Sequence, residues 1–261
     1  MKIAAVQMCL KLGDVEYNYK QAEEWIRKAA QEKADVVVLP EMWNTSFYPD
    51  NIHELADEGG KRTQAFLSRM AKKLGIHIVG GSVAVRRGSR LYNTVYVADR
   101  CGRIVGTYDK VHLFAPGHED KQFTPGNHGC AFSLDDVPMA SVVCYDVRFP
   151  EWVRMAALTG AYVIFVPAAW PISRVEHWCI LNRARAIENQ LFIVAVNSCG
   201  SAGDMQFGGH SMIIDPWGNV LAQGEDRETI LHADIDLASV ADIRKRINIF
   251  HDRQPALYHL T

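Results

Sequence analysis

The sequence predicts an α/β fold rich in strands, and three observations predict it. Continuous apolar runs such as "DVVVLPE" and "AYVIFVPAAW" read as strands buried on both faces. Amphipathic helical segments lie between such runs. A central stretch from Ile76 to Lys110 reads as consecutive strands joined by tight turns. Alternation of this kind signals sheets covered by helices.

The elements follow in order. "KIAAVQM" is a first strand. "NYKQAEEWIRKAAQEKA" places Ala22, Trp25, Ile26 and Ala29 at helical spacing, with Glu ahead of Lys and Arg on the same face. "DVVVLPE" is a strand stopped by Pro40. "GKRTQAFLSRMAKKLG" is a second amphipathic helix, and Gly75 ends it. The turns at "RRGS" and "DRCG" break the strands of the middle stretch. "MASVVCYD" is a strand, and "PEWVRMAALTG" is a helix with Pro150 near its start, where a missing N–H is harmless. "AYVIFVPAAW" is a buried strand, "VEHWCILNRARAIENQ" a long helix and "LFIVAVNSCG" another strand. "GGHSMIIDPWGNVLAQG" is a hairpin turning at "DPWGN", and "TILHADIDLASVADIRKRI" closes with a strand and a helix. Pure βαβ repetition would give a barrel or a doubly wound sheet. The β-rich middle instead suggests two sheets packed on each other with helices outside, and the pattern alone leaves that choice open. No linker, low-complexity stretch or repeat divides the chain, so residues 1–261 are expected to form one domain.

Composition narrows the function. Hydrophobic residues make up 48% of the 261 and charged residues 22%, the balance of a soluble globular protein. A chain of this length buries enough apolar surface to fold without disulfides or structural metal. The net charge of -2 argues against nucleic acid, which demands a basic excess. The opening "MKIAAVQMCLKLGDVEYNYK" does not read as a signal peptide, and no run reaches the ~18 apolar residues of a membrane span. A cytoplasmic protein with no membrane partner is the expectation. The six cysteines, Cys9, Cys101, Cys130, Cys144, Cys179 and Cys199, form no C-x-x-C pair, so neither a zinc site nor a disulfide framework is expected. Five read as small buried hydrophobes.

Cys144 is the exception. It follows Ser-Val-Val at a strand end and precedes a helix. Glu41 ends "VVVLPE" and Lys110 ends "VGTYDK" in the same way. Ligand sites in open α/β sheets collect at the carboxyl ends of strands. Singly, each residue has an ordinary reading: a solvated loop acid, a surface ammonium, a packing cysteine. Together they supply an acid, an ammonium and a thiol. A thiol near a helix N-terminus is expected to be stabilised as thiolate, with backbone donors for an oxyanion. His112 and His118 lie near Lys110, but no papain-type motif surrounds Cys144, and a desolvated carboxylate beside an ammonium can act as the base.

"LPEMWNT", "YDKVHLF" and "CYDVRFPE" resemble the three signature segments of the nitrilase (carbon–nitrogen hydrolase) superfamily. "KIAAVQM", "NTVYVADRCGRIVGTYDK", "ARAIENQLFIVAVN" and "GGHSMIIDPWGNVLA" extend the resemblance, in the same order, over nearly the whole chain. It implies a four-layer α-β-β-α sandwich and a Glu–Lys–Cys triad of Glu41, Lys110 and Cys144. Cys144 would attack the substrate carbon, and Glu41 would take the thiol proton and later activate water. Lys110 and the backbone N–H of Tyr145 would stabilise the tetrahedral intermediate. A further family Glu, which positions the Lys, matches Glu119 best, with Asp120 adjacent. No metal or organic cofactor is implied. The resemblance also implies a homodimer or higher homo-oligomer, with "PEWVRMAALTG" and "VEHWCILNRARAIENQ" as interface candidates.

Within the superfamily the segments resemble most the omega-amidase branch, which acts on dicarboxylic acid monoamides such as 2-oxoglutaramate. Such an enzyme takes a small-molecule amide and water, and must bind a carboxylate at the far end of its substrate. Arg174, in "AAWPISRVEHW", is the first candidate for that and Arg148 the second, because a guanidinium pairs bidentately with a carboxylate. Trp43, Phe47, Tyr48, Phe114 and Trp170 flank the signature segments as pocket walls or as core. The alternatives are an N-carbamoyl amine or amino-acid hydrolase, an aliphatic amidase and, from another class, a catalytically silent interaction module.

Overall fold

The computed structural model describes residues 1–258. In chain order its strands and helices are β1 (Lys2–Gln7), α1 (Val15–Gln31), β2 (Val36–Val38), α2 (Ile52–Leu55), β3 (Asp57–Glu58), α3 (Lys61–Leu74), β4 (His77–Arg87), β5 (Arg90–Ala98) and β6 (Ile104–Asp109). Then come α4 (Glu119–Gln122), β7 (Cys130–Leu134), β8 (Val137–Ser141), α5 (Pro150–Leu158), β9 (Val163–Ala168), α6 (Val175–Asn189) and β10 (Phe192–Asn197). The last are β11 (Cys199–Ala202), β12 (Met205–Gly208), β13 (Met212–Ile214), β14 (Val220–Gln223), β15 (Thr229–Asp234), α7 (Ala238–Arg246) and α8 (Ile249–Asp252).

Two sheets form the centre. The first runs β15-β1-β2-β4-β5-β6, with β3 paired to β4. The second runs β14-β13-β10-β9-β8-β7, and β11 and β12 make a separate hairpin. Strand periodicity explains the layering. Ile3, Ala5, Val36 and Val38 face the second sheet and share its core. Their neighbours Ala4, Val6, Val37 and Leu39 face the other way, onto Ala22 and Ile26 of α1 and Leu67 and Met70 of α3. On the far side, Val153 and Ala157 of α5 and Trp178 and Ala186 of α6 cover the second sheet. The result is the expected α-β-β-α sandwich, and it resolves the choice that periodicity left open.

Local chemistry sets the turns. At "DRCG", Asp99 Oδ1 accepts N–H bonds from Cys101 (3.0 Å) and Arg103 (2.9 Å). At "DPWGN", Asp215 Oδ1 accepts from Trp217 (2.8 Å) and Asn219 (2.9 Å). Gly75 ends α3 in the left-handed region at φ 69°. Helix α1 begins three residues before the periodic segment, because the Asp14 side chain caps it through the Tyr17 N–H. Among the described residues no helix is long and apolar enough to cross a membrane.

One boundary differs where it matters. "MASVVCYD" is not strand to its end: β8 stops at Ser141, and Cys144–Arg148 form a short 3-10 turn before α5. Strand β7, "CAFSL", was not anticipated, although its residues alternate buried and exposed as an edge strand should.

Candidate active site

Glu41 lies just past β2, Lys110 directly past β6 and Cys144 just past β8. Their strands belong to both sheets, and the ends meet at one end of the sandwich. Two close backbone approaches hold them there. A Cβ on Gly81 would stand 2.0 Å from the Pro40 carbonyl oxygen, so only glycine lets the Leu39–Glu41 segment lie against β4. The Trp43 indole then donates to the Gly80 carbonyl at 2.6 Å. A Cβ on Gly126 would stand 2.0 Å from the Asp109 carbonyl oxygen, and the Gly126 N–H bonds Lys110 O at 2.9 Å.

Lys110 Nζ donates to Glu41 Oε1 and to Glu119 Oε2, both at 2.8 Å, and all three side chains are fully buried. Asn93 Nδ2 donates to the same two carboxylates, at 2.8 Å to Glu41 and 3.0 Å to Glu119. The Ala169 N–H completes Glu41 through Oε2 at 2.8 Å, and the Phe114 N–H completes Glu119 at 2.7 Å. Glu119 is therefore the acid that reaches Lys110, whereas its neighbour Asp120 pairs with Lys121 near the surface. Burial opposes the ammonium of Lys110, but the carboxylates of Glu119 and Glu41 outweigh it and hold the pKa well above the ordinary lysine value.

The Cys144 thiol lies beside the Glu41 carboxylate, the Lys110 ammonium and the Ala169 N–H. Its backbone is left-handed, at φ 46°, a strained conformation for a residue with a side chain. Burial pushes the thiol well above its usual pKa; the Glu41 carboxylate adds to this and the Lys110 ammonium opposes it. This reverses the expectation of a thiolate stabilised by a helix end. Cys144 itself opens a single tight turn, and α5 starts only at Pro150. The resting thiol is protonated and carries its base beside it.

A narrow cleft opens over Cys144 and Lys110. Phe47, Phe114, Tyr145, Trp170 and Met205 wall it, and Arg148 and Arg174 reach into it. The Arg148 guanidinium lies 4.6 Å over the Trp170 ring, and that of Arg174 lies 5.3 Å from the centre of Phe114. Among the described residues neither arginine pairs with a carboxylate, which leaves two guanidiniums facing a cleft without a counter-ion. The Tyr48 hydroxyl is buried near Glu119, Glu41 and Cys144 and has no hydrogen-bond partner among the described residues. Trp43 is not a pocket wall: it is fully buried and packs edge-on against Tyr19 at 4.7 Å, away from the cleft.

Sequence reading missed three supports. Asn93 is one, and its signal was a polar side chain in the apolar strand "RLYNTVYVA". The Ala169 amide is another, and backbone donors leave no mark in side-chain patterns. The third is Asp146, fully buried two residues after Cys144. It accepts from the Tyr108 hydroxyl at 2.7 Å, the Val143 N–H at 2.8 Å and the His112 N–H at 3.1 Å, and contacts His112 Nδ1 at 2.8 Å. Among the described residues no cluster of three or more His, Cys, Asp or Glu has metal-holding geometry.

The sequence and the fold are similar to those of known proteins. The carbon-nitrogen hydrolase family model matches residues 2–245. The chain is 47% identical to the 2-oxoglutaramate amidase of Bacillus subtilis (strain 168), over 98% of each protein. It is 34% identical to the omega-amidase NIT2 of Homo sapiens, over 92% of this chain and 91% of that one. An amidase structure from Nesterenkonia sp. AN1, with acrylamide added to its active-site cysteine, superposes with a TM-score of 0.85 at 28% identity, covering 96% of this chain and 99% of that one. With a family model that matches residues 2–245 and a relative 47% identical over 98% of its length, the chain belongs to the carbon-nitrogen hydrolase family.

Proposed function

We propose that the protein is an omega-amidase, hydrolysing the terminal amide of a short dicarboxylic acid monoamide such as 2-oxoglutaramate. The observation that carries the substrate class is the pair of guanidiniums, Arg148 and Arg174, in the cleft over Cys144 without a carboxylate partner among the described residues. A planar guanidinium is suited to bind the far carboxylate of such a substrate. The name of the Bacillus subtilis relative agrees with this reading.

The chemistry is nucleophilic catalysis. As Cys144 Sγ bonds to the amide carbon, Glu41 takes the thiol proton. The carbonyl oxygen becomes an oxyanion, stabilised by the Lys110 ammonium and the N–H of Tyr145. Tyr145 is second in its 3-10 turn, where an N–H has no acceptor within the turn. The C–N bond breaks, ammonia leaves with the proton from Glu41, and a thioester remains. Glu41 then takes a proton from water as it attacks the thioester, and returns it to the Cys144 sulfur. Glu119 positions Lys110 throughout.

The reading includes a cytoplasmic homodimer. Met155 and Leu158 of α5 and Ile180 and Ile187 of α6 are 57%, 45%, 58% and 50% exposed, an apolar face suited to a second copy. The deciding experiment is ammonia release from 2-oxoglutaramate, succinamate, glutamine, a neutral aliphatic amide, a nitrile and an N-carbamoyl amino acid. Strong preference for the first two is expected. Turnover confined to the carbamoyl compound, the neutral amide or the nitrile would overturn the substrate class, and no turnover of any would favour a silent module.

A further inference from the structure

Away from the cleft, the fold brings together two cysteines that the proposed mechanism does not use. Cys9 lies just past β1 and Cys199 opens β11, and their sulfurs are 2.8 Å apart although 190 residues separate them in sequence. The two residues face each other across an isolated parallel bridge, and the Cys199 N–H bonds the Met8 carbonyl at 3.2 Å. Adjacent strands stand about 4.8 Å apart, inside the Cα range of a disulfide. The sulfurs need to close by only ~0.8 Å to reach a bond of about 2.05 Å. Gly200 makes room for this contact: a Cβ there would stand 2.9 Å from Cys9 Sγ.

We propose that Cys9 and Cys199 form a redox-active dithiol site that a hydroperoxide converts to an intramolecular disulfide, independently of Cys144. The two partners are unequal. Cys9 is half-buried and open to a small oxidant, whereas Cys199 is fully buried behind it. Cys9 is therefore the sulfur an oxidant reaches first, and its contact with Cys199 lowers its pKa. Its thiolate attacks a peroxide oxygen. The O–O bond breaks, the released hydroxide takes up the proton that Cys9 lost on ionising and leaves as water, and Cys9 becomes a sulfenic acid. Cys199 sulfur then attacks Cys9 sulfur, the S–O bond breaks, and the released hydroxide takes the Cys199 proton as a second water. Two thiols are oxidised, and one hydrogen peroxide is reduced to two waters. The bond would tether the β11–β12 hairpin, which carries Met205 into the cleft wall, to the end of β1.

The test treats the reduced full-length protein with hydrogen peroxide, alkylates the remaining thiols and maps peptides by mass spectrometry. Wild-type and Cys144→Ala proteins are run in parallel, so that any reaction of Cys144 is separated from the pair. The expected result is a Cys9–Cys199 linked peptide in both, reversed by dithiothreitol, with Cys199 left alkylatable in Cys9→Ser after unfolding. Cys9 and Cys199 both recovered as separate alkylated or over-oxidised residues, or either one linked to a different cysteine, would overturn the proposal. Cys199→Ala provides the converse check: there Cys9 should proceed to sulfinic acid, and no linked peptide should form.

Discussion

Lys110 Nζ lies 2.8 Å from Glu41 Oε1 with both side chains fully buried. Glu119 sits on the same ammonium at the same distance. Burial raises the Cys144 pKa most; the Glu41 carboxylate raises it further and the Lys110 ammonium opposes them. A buried pair of this kind is destabilised most by losing one partner, typically by about 3–5 kcal/mol. Lys110→Met leaves two carboxylates facing each other in a dry site. Urea denaturation should show a loss of that order, together with no detectable hydrolysis. Near-wild-type stability would mean that water reaches the cluster.

Glu41→Gln separates acidity from catalysis. Removing the carboxylate removes a charge that raises the Cys144 pKa, while the Lys110 ammonium that lowers it remains. The midpoint of Cys144 alkylation by iodoacetamide against pH should therefore move down, with more thiolate at neutral pH. Hydrolysis should still fall by roughly 10²–10⁴-fold, the usual worth of a positioned base. An unchanged or higher midpoint would show that Glu41 does not set the acidity of the thiol.

Asn93 donates to both acids from one nitrogen and has no exposed surface to exchange for water. Asn93→Leu leaves two buried carboxylate oxygens each short of a donor. Loss of such a bond costs about 1–3 kcal/mol. The denaturation midpoint should drop accordingly, and kcat should fall more than KM rises, because the acids bound the reacting atoms rather than the distal substrate. A change in KM alone would assign Asn93 to substrate binding.

How much of this was legible in the sequence depends on the kind of interaction. Val36 to Leu39 announce a strand buried on both faces, because apolar character is carried residue by residue. Glu41, Lys110 and Cys144 were visible as reactive groups at strand ends, and their segments matched a family pattern. That Lys110 meets Glu41 at 2.8 Å, next to Cys144, was not visible, because it depends on how the chain folds and the two sheets stack. The raised pKa of Cys144 was misread for the same reason: local position suggests a helix end, whereas Glu41 arrives from the other sheet. Trp43 read equally as pocket wall or as core from its nearness to Glu41; the left-handed Met42 at φ 51° turns the chain between them toward the helices, and it is core.

Arg174 and Arg148 differ in their setting. Burial lowers the pKa of Arg148, and Arg174 adds to that lowering, so the two guanidiniums repel until an anion arrives. Arg174→Ala should raise KM for carboxylate-bearing amides far more than for a neutral amide. A bidentate charged contact of about 1.5–3 kcal/mol corresponds to a tenfold to hundredfold change. Arg174→Lys keeps the charge but not the planar fork, and should recover only part of the loss. Equal losses on charged and neutral amides would remove Arg174 from carboxylate recognition.

Asp146 holds the turn on which Cys144 stands. The left-handed backbone at Cys144 is strained by about 1–3 kcal/mol and persists only if its surroundings fix it. Asp146 supplies that fixing: it takes the Val143 N–H on one side of Cys144 and is tied to β6 through the Tyr108 hydroxyl. Tyr108 is held in turn by the Trp152 indole at 3.0 Å, and His112 stacks on Phe149 with ring centres 3.8 Å apart. Asp146→Asn preserves shape but turns an amide NH2 toward donors that need an acceptor. The turn should relax, and a displacement of the sulfur by even 1 Å can lower turnover about 10²-fold. Because Arg174 stands on a different turn from the one that Asp146 holds, kcat should fall more than KM rises. Tyr108→Phe removes one donor and leaves the carboxylate its remaining contacts, so its effect should point the same way and be smaller. A rise in KM with kcat preserved in either variant would place Asp146 in the binding of substrate instead of in the support of the nucleophile.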